Sequence, residues 1–385
     1  MKKLFLKFAV AALVAPAMVL TSCDKDDNDD NNNITETFTV ENGEMMGRLK
    51  SKYTLAADVE LAGPVIVEEG GELTIPAGRT IKASGGFSNY ILVLQGGKIF
   101  VEGTSASPVT MTSSANEPGA EDWGGLIING RAPLADGITR STEINANYPY
   151  GGSVANDNSG KITYLKLLYT GAKNGNNVEH NGLTLNAVGS GTVVENIYVA
   201  DGGDDGIEFF GGSVNVTNLL VVNSDDDMFD MTDGWNGKLE NAYGIWRSGF
   251  KSSESDPSGV EADGNMDGKF ADAANMSNFT ITNMTIENNS ADSMNNVLKI
   301  RRGAKATITN ALVKGSGPVK AKGFIVDMTD GAGNGSTASA ISITNSLANG
   351  PATEVKNAAD FPNVKVEAGS AGCATNSFGW TGYTF

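Results

Sequence analysis

The chain repeats itself, and that repetition limits its folds more than any other property. Gly206-Ile207-Glu208-Phe209-Phe210 opens a unit that ends at Asp226-Asp227, and Met228-Phe229-Asp230-Met231 opens the next one 22 residues later. The unit before opens at Gly182-Leu183-Thr184-Leu185, 24 residues upstream of Gly206. Nearer the start, Val67-Glu68-Glu69-Gly70-Gly71-Glu72-Leu73-Thr74-Ile75 aligns with Val93-Leu94-Gln95-Gly96-Gly97-Lys98-Ile99-Phe100-Val101 at a shift of 26. A repeat this short cannot bury a core alone, so it must stack on its neighbours. Runs of alternating Val, Ile and Thr make each repeat a set of short strands, which is the requirement of an all-β solenoid with coils of 22–26 residues. Leucine-rich repeats share the period, but no L-x-x-L-x-L pattern occurs.

An apolar residue, any residue and then Asn recur in register at Asn196, Asn218, Asn241, Asn283, Asn310 and Asn345. Asn accepts left-handed backbone at a turn, and its amide can bond the equivalent Asn one coil away. Two stretches are too long for one coil, 136–160 with Tyr148-Pro149-Tyr150, and 250–276. Both are expected to be loops leaving the solenoid on one flank, where binding usually resides in such folds. Phe378 to Phe385 is apolar enough to cover an exposed edge at the C-terminal end of the solenoid.

The N-terminus reads as an address. Met1-Lys2-Lys3 is followed by an apolar stretch to Leu20, interrupted only by Lys7, the pattern of an export signal over residues 1–22. Leu20-Thr21-Ser22-Cys23 resembles a bacterial lipobox, which makes Cys23 the lipidated first residue of the mature chain and its tie to outer-membrane lipid. Residues 23–42 begin with an Asp/Asn run and are expected to be a solvated tether. The domain proper then covers 43–385. Cys373 is left without an intrachain partner and is expected to be an inert buried thiol.

The chain carries 28 Lys and Arg against 45 Asp and Glu, a formal charge of −17, and a single His. Such a chain repels phosphate backbones, so no nucleic-acid partner is expected. One imidazole cannot build a multi-histidine metal site, so any metal must use oxygen ligands. The acids concentrate in a turn repeated on adjacent coils. Asp204, Asp205 and Glu208 align with Asp226, Asp227 and Asp230, and Asp233 follows. Stacked strands lie about 4.8 Å apart, so these carboxylates crowd together. Calcium, which takes six to eight oxygens in irregular geometry, would relieve that crowding. The alternative is that each Asp caps its own turn and faces solvent. Asp263-Gly264-Asn265-Met266-Asp267-Gly268 has the start of a calcium loop, but Ala274 stands where the closing acid belongs. Trp235, Tyr243 and Trp246 follow the acidic turns and are candidates to hold a sugar ring, with Trp235 expected to be exposed in its Gly-bounded turn.

From about Tyr53 onward the chain resembles a right-handed parallel β-helix of the pectate-lyase-like type. Glu121-Asp122-Trp123-Gly124-Gly125-Leu126-Ile127, Asp204-Asp205-Gly206-Ile207-Glu208-Phe209-Phe210-Gly211-Gly212 and Asp230-Met231-Thr232-Asp233-Gly234-Trp235 are similar to an uncharacterised family of Bacteroidetes surface lipoproteins. The resemblance implies the fold and the outer face of the outer membrane as the location. It specifies function poorly, because such solenoids carry lyases, hydrolases, adhesins and spacers alike. The leading expectation is a non-catalytic lipoprotein that captures an extracellular ligand, glycan first, for a TonB-dependent receptor. A polysaccharide lyase or glycosidase is the alternative, with Arg247 as base beside Asp205 and Asp227, and Lys299 or Arg301 as substitutes. A structural or adhesive stalk is the third reading. His180 is expected to be a structural or a surface residue.

Overall fold

The computed structural model describes residues 36–176 and 178–385. The expected leader, Cys23 and most of the acidic tether lie outside the described residues. The first strand, Thr39–Glu41, falls within the stretch assigned to the tether and pairs antiparallel with Glu44–Leu49.

From there the strands stack in parallel, coil on coil, within one 24-stranded hydrogen-bonded system. Parallel strands joined by crossovers wind right-handed, and the result is the right-handed parallel β-helix the repeats require. Each coil contributes three short faces. One runs through Trp123–Asn129, Leu183–Asn186, Ile207–Phe210, Phe229–Thr232, Ser258–Asp263 and Asn296–Arg301. The other two are the halves of longer, bent strands such as Val193–Gly202, Asn215–Ser224, Lys238–Trp246 and Asn278–Asn288.

The bend is made by the predicted asparagines. Asn196, Asn218, Asn241, Asn283 and Asn310 all adopt φ between 51° and 59°. From Asn218 onward each Nδ2 donates to the Oδ1 of the Asn one coil before, at 2.7–3.0 Å. Asn345 departs from the series. Its Nδ2 donates instead to Glu354, because a register shift between Ile308 and Ala311 sets Asn345 opposite Val313, three residues beyond Asn310.

The period-2 alternation of each strand sorts residues into rows along the axis. On the first face, Val65, Ile91, Leu126, Leu183, Ile207, Phe229, Val260, Leu298 and Val326 are successive partners, all fully buried in the core. One residue further along each strand, the outward row reads Ile66, Leu92, Ile127, Thr184, Glu208, Asp230, Glu261, Lys299 and Asp327. Its apolar beginning is covered by the inserted stretch 136–160, whose Tyr148 packs with Ile66, Leu92 and Ile127. That stretch folds as a hairpin of its own, Arg140–Thr142 against Asn145–Tyr150.

The second expected insertion, 250–276, is not one loop. Ser258–Asp263 re-enters the solenoid between Phe229–Thr232 and Asn296–Arg301, because Val260 and Ala262 supply the inward pair a coil needs. The C-terminal residues also depart from expectation. They cover the flank of the solenoid, not its end. The segment leaves the last coils at Gly372, where Asn310 Oδ1 accepts the Ala371 and Gly372 amides. It then runs back over Tyr243, Ile245, Leu220, Val222 and Ala200, and reaches Lys166, whose Nζ donates to Thr381 O at 2.7 Å. These outward residues of the bent strands are apolar, so the nearest apolar segment lies along them.

Candidate functional site

Ile207-Glu208-Phe209, Phe229-Asp230-Met231 and Val260-Glu261-Ala262 are the same triplet on three successive coils, apolar residues inward and an acid outward. The Asp-Asp turns that precede the first two are drawn tightly together. At Gly206 an added Cβ would stand 2.8 Å from Met228 O and 2.4 Å from Val221 Cγ1, so only glycine lets the coils approach this closely. The turns therefore stack, and Asp205 Oδ1 accepts the Asp227 amide at 2.8 Å while Asp227 Oδ1 accepts the Ser258 amide at 2.6 Å.

Six of the seven acids singled out from sequence converge here, joined by Glu261. They form three overlapping triads, Asp204 with Asp205 and Asp226, Asp205 with Glu208 and Asp230, and Asp227 with Asp230 and Glu261. In each triad, one oxygen per residue lies within 4.8 Å of the others. Asp205, Glu208 and Asp227 are buried, at 6%, 9% and 4% exposure. Burial first, and then the neighbouring carboxylates, push Asp204, Asp205, Glu208, Asp227 and Asp230 well above the usual carboxylate range. The same causes raise Asp226 to about 7, and burial raises Glu261 to about 7 against the opposing pull of Arg301. Asp226 Oδ1 and Asp230 Oδ1 are buried and meet no hydrogen-bond donor among the described residues. Asn181, 3% exposed, donates its Nδ2 to Glu208 at 2.5 Å while its Oδ1 is likewise unmet. Glu143 at the tip of the inserted hairpin and Glu179 add further negative potential above Glu208 and Asp204.

Further along the same row the protein supplies its own cations. Arg301 pairs with Glu261 and, at 2.7 Å, with Asp263; Arg302 pairs with Asp263 at 2.5 Å. Lys299 lies 3.0 Å from Asp327, and Lys356 3.1 Å. Local charge balance is thus met side chain by side chain beyond Glu261 and left unmet before it. An all-oxygen donor set, partly unsatisfied and crowded with like charge, fits a hard divalent cation such as calcium.

Asp233 does not belong to this set. It is fully buried and held by Arg140 of the hairpin, Nε at 2.7 Å and Nη2 at 3.2 Å, a bidentate pair that neutralises it. The loop from Asp263 is closed in the same way, by Arg301 and Arg302 on Asp263 and by Lys269 on the exposed Asp267.

The three aromatic candidates are core residues, which corrects the expectation that they present a sugar-binding face. Trp235 is fully buried, stacked on Phe209 at 4.1 Å and Phe279 at 5.7 Å, with Nε1 donating to Val214 O at 3.1 Å. The Gly-bounded turn folds its indole inward because only the solenoid interior offers it both apolar contact and an acceptor. Trp246 is fully buried, with Nε1 donating to Ser224 O at 3.0 Å. Tyr243 lies beneath Phe378 and Phe385 of the C-terminal segment and donates to Glu287.

Arg247 is not brought to the acidic strip. Its guanidinium pairs with Asp201, and its amide donates to Asn223 Oδ1 at 2.9 Å. Asp205 and Asp227 accept backbone amides as described, so the three residues of the catalytic alternative do not meet as a constellation. Lys299 and Arg301, its substitutes, are held in the ion pairs above. His180 is a buried residue, not a surface one. It is 1% exposed, packed between Phe87 and Tyr90, and burial lowers its pKa to about 4.

An open groove of about 560 Å³ lies on the flank where the third face turns toward the acidic strip. Glu121, Tyr169, Asp201, Asn223, Phe250 and Lys251 line it. Phe250 follows Trp235, Tyr243 and Trp246 in the chain, and Asp201 and Asn223 stand beside the acidic turns. Tyr169 carries no motif and is recognisable only from its φ of 62° at the level of Asp201.

The family model of the pectate-lyase like beta helix domain matches residues 47–383. Neither a curated protein nor a solved structure matches the chain.

Proposed function

The chain belongs to the pectate-lyase like beta helix domain family, and from that premise we propose that it is a calcium-dependent binding module that captures an extracellular glycan without cleaving it. The observation that carries this reading is the stretch of the outward row from Glu208 to Glu261, where stacked carboxylates keep unmet buried oxygens while the coils beyond bring Lys299 and Arg301. Calcium held by Asp204, Asp205, Glu208, Asp226, Asp227, Asp230 and Glu261 would supply charge balance and stiffen the coils that form the groove. The groove joins the faces of Tyr169 and Phe250 to the polar groups of Asp201, Asn223 and Lys251, the pairing of ring surface and hydrogen-bonding groups that sugar rings use. Engagement of Arg247 by Asp201 supports binding over lyase chemistry, because a general base must reach the proton it removes.

The cellular setting in this reading follows from the N-terminal residues. Lipid at Cys23 would hold the domain on the outer membrane, the acidic tether would carry it outward, and a TonB-dependent receptor would accept the captured ligand. The test is a glycan array probed in millimolar calcium and again in chelator. Calcium-dependent binding lost in Phe250→Ala is the expected result. Release of unsaturated uronate from a polygalacturonate substrate would overturn the non-catalytic reading, and calcium binding with no glycan signal would leave a stiffened stalk.

A further inference from the structure

The three triads are not alternatives for one ion. They are successive along the axis, the first built on the turn at Asp204 and Asp205, the third on the strand Ser258–Asp263 two coils on, and they overlap only through Asp205 and Asp230. The unmet oxygens are separate as well. Asp226, with its Oδ1 unmet, belongs to the first triad alone, Asp230, with its Oδ1 unmet, belongs to the second and third, and Asn181, whose Oδ1 is unmet, donates its Nδ2 to Glu208 of the second. Among the described residues, Arg301 is the one cation in an ion pair with these seven carboxylates, and of the seven it reaches Glu261 alone. A single divalent ion would leave most of that charge unbalanced, in a place where partial burial weakens screening by water.

We propose that the strip is loaded as a row, with at least two divalent cations of the calcium type per chain placed along the solenoid axis and sharing Asp205 and Asp230 as ligands. The proposal rests on the cation-binding reading above and goes beyond it in stoichiometry and in the roles of the shared residues. Hard cations accept carboxylates that serve two ions at once, and such sharing lets the row reach balance without an acid for every coordination position. It also follows the habit of this fold, which beyond Glu261 places its own cations, Arg301 and Lys299, along the same face.

The experiment counts calcium bound to the full chain after exhaustive chelation, by titration calorimetry and by native mass spectrometry. Two or more ions are expected in the wild type. Asp226→Asn should remove the ion of the first triad and keep at least one other. Asp230→Asn should remove at least one ion and keep that of the first triad. A wild-type count of one overturns the row and leaves the single-site reading intact, and a count of zero overturns both. Unchanged counts in both variants would place the ions elsewhere and also overturn the row. The wild-type count does not depend on whether either variant folds.

Discussion

Asp226 stands among like charges with one buried oxygen unmet, so its carboxylate is a liability to the metal-free fold. Asp226→Asn keeps the shape and removes a charge. In chelator this variant should melt higher than the wild type, by about 1 kcal/mol in stability, while its gain in melting temperature on adding calcium shrinks. A variant that melts lower in chelator would mean the carboxylate is already satisfied. Trp235→Ala has the opposite character. The indole fills the space between Phe209 and Phe279, and its loss should cost about 3–5 kcal/mol in chemical denaturation without touching calcium binding. Burial of this residue could not be read from Asp233-Gly234-Trp235-Asn236-Gly237. Local turn chemistry implies exposure, and only the stacking of coils shows that the turn closes inward.

The bend asparagines act as one element. Each interior Asn both donates to and accepts from a neighbour, and each needs φ near 55°, where most side chains are strained. Asn241→Ala loses two hydrogen bonds and meets that strain, so it should destabilise by about 2–3 kcal/mol, and Asn241→Gly by less, since glycine keeps the backbone. Equal losses in urea melts would mean that the amide ladder alone matters. This ladder was legible from the spacing of apolar residue and Asn. So were the coil length and the convergence of Asp204, Asp205, Glu208, Asp226, Asp227 and Asp230, because a fixed period turns sequence register directly into spatial rows. Glu261 was not legible. It follows Asp230 by 31 residues, and the loop inserted before it breaks the period that marks its place. Asp233 misled for the converse reason, since its partner Arg140 comes from a hairpin whose return to the solenoid no local pattern encodes.

For the whole molecule, the acidic strip ties stability to pH and calcium together. Its carboxyls have raised pKa values in the folded chain, Asp226 and Glu261 to about 7, against roughly 4 when unfolded. The folded state therefore binds more protons than the unfolded state between those values, and stability falls as pH rises through that window. Without calcium, melting temperature should decline from about pH 4 to pH 7, and saturating calcium should flatten the decline, as scanning calorimetry would register. A profile that rises over the same window would contradict the cluster. The C-terminal segment gives the stack a further property. A solenoid of nearest-neighbour contacts unravels from its last coil, but here the chain beyond that coil returns along the flank to Lys166. A force applied at Phe385 therefore loads the contacts with Tyr243, Tyr198 and Lys166 before the final coils, and the molecule must shed its strap strand by strand before the last coil can peel away.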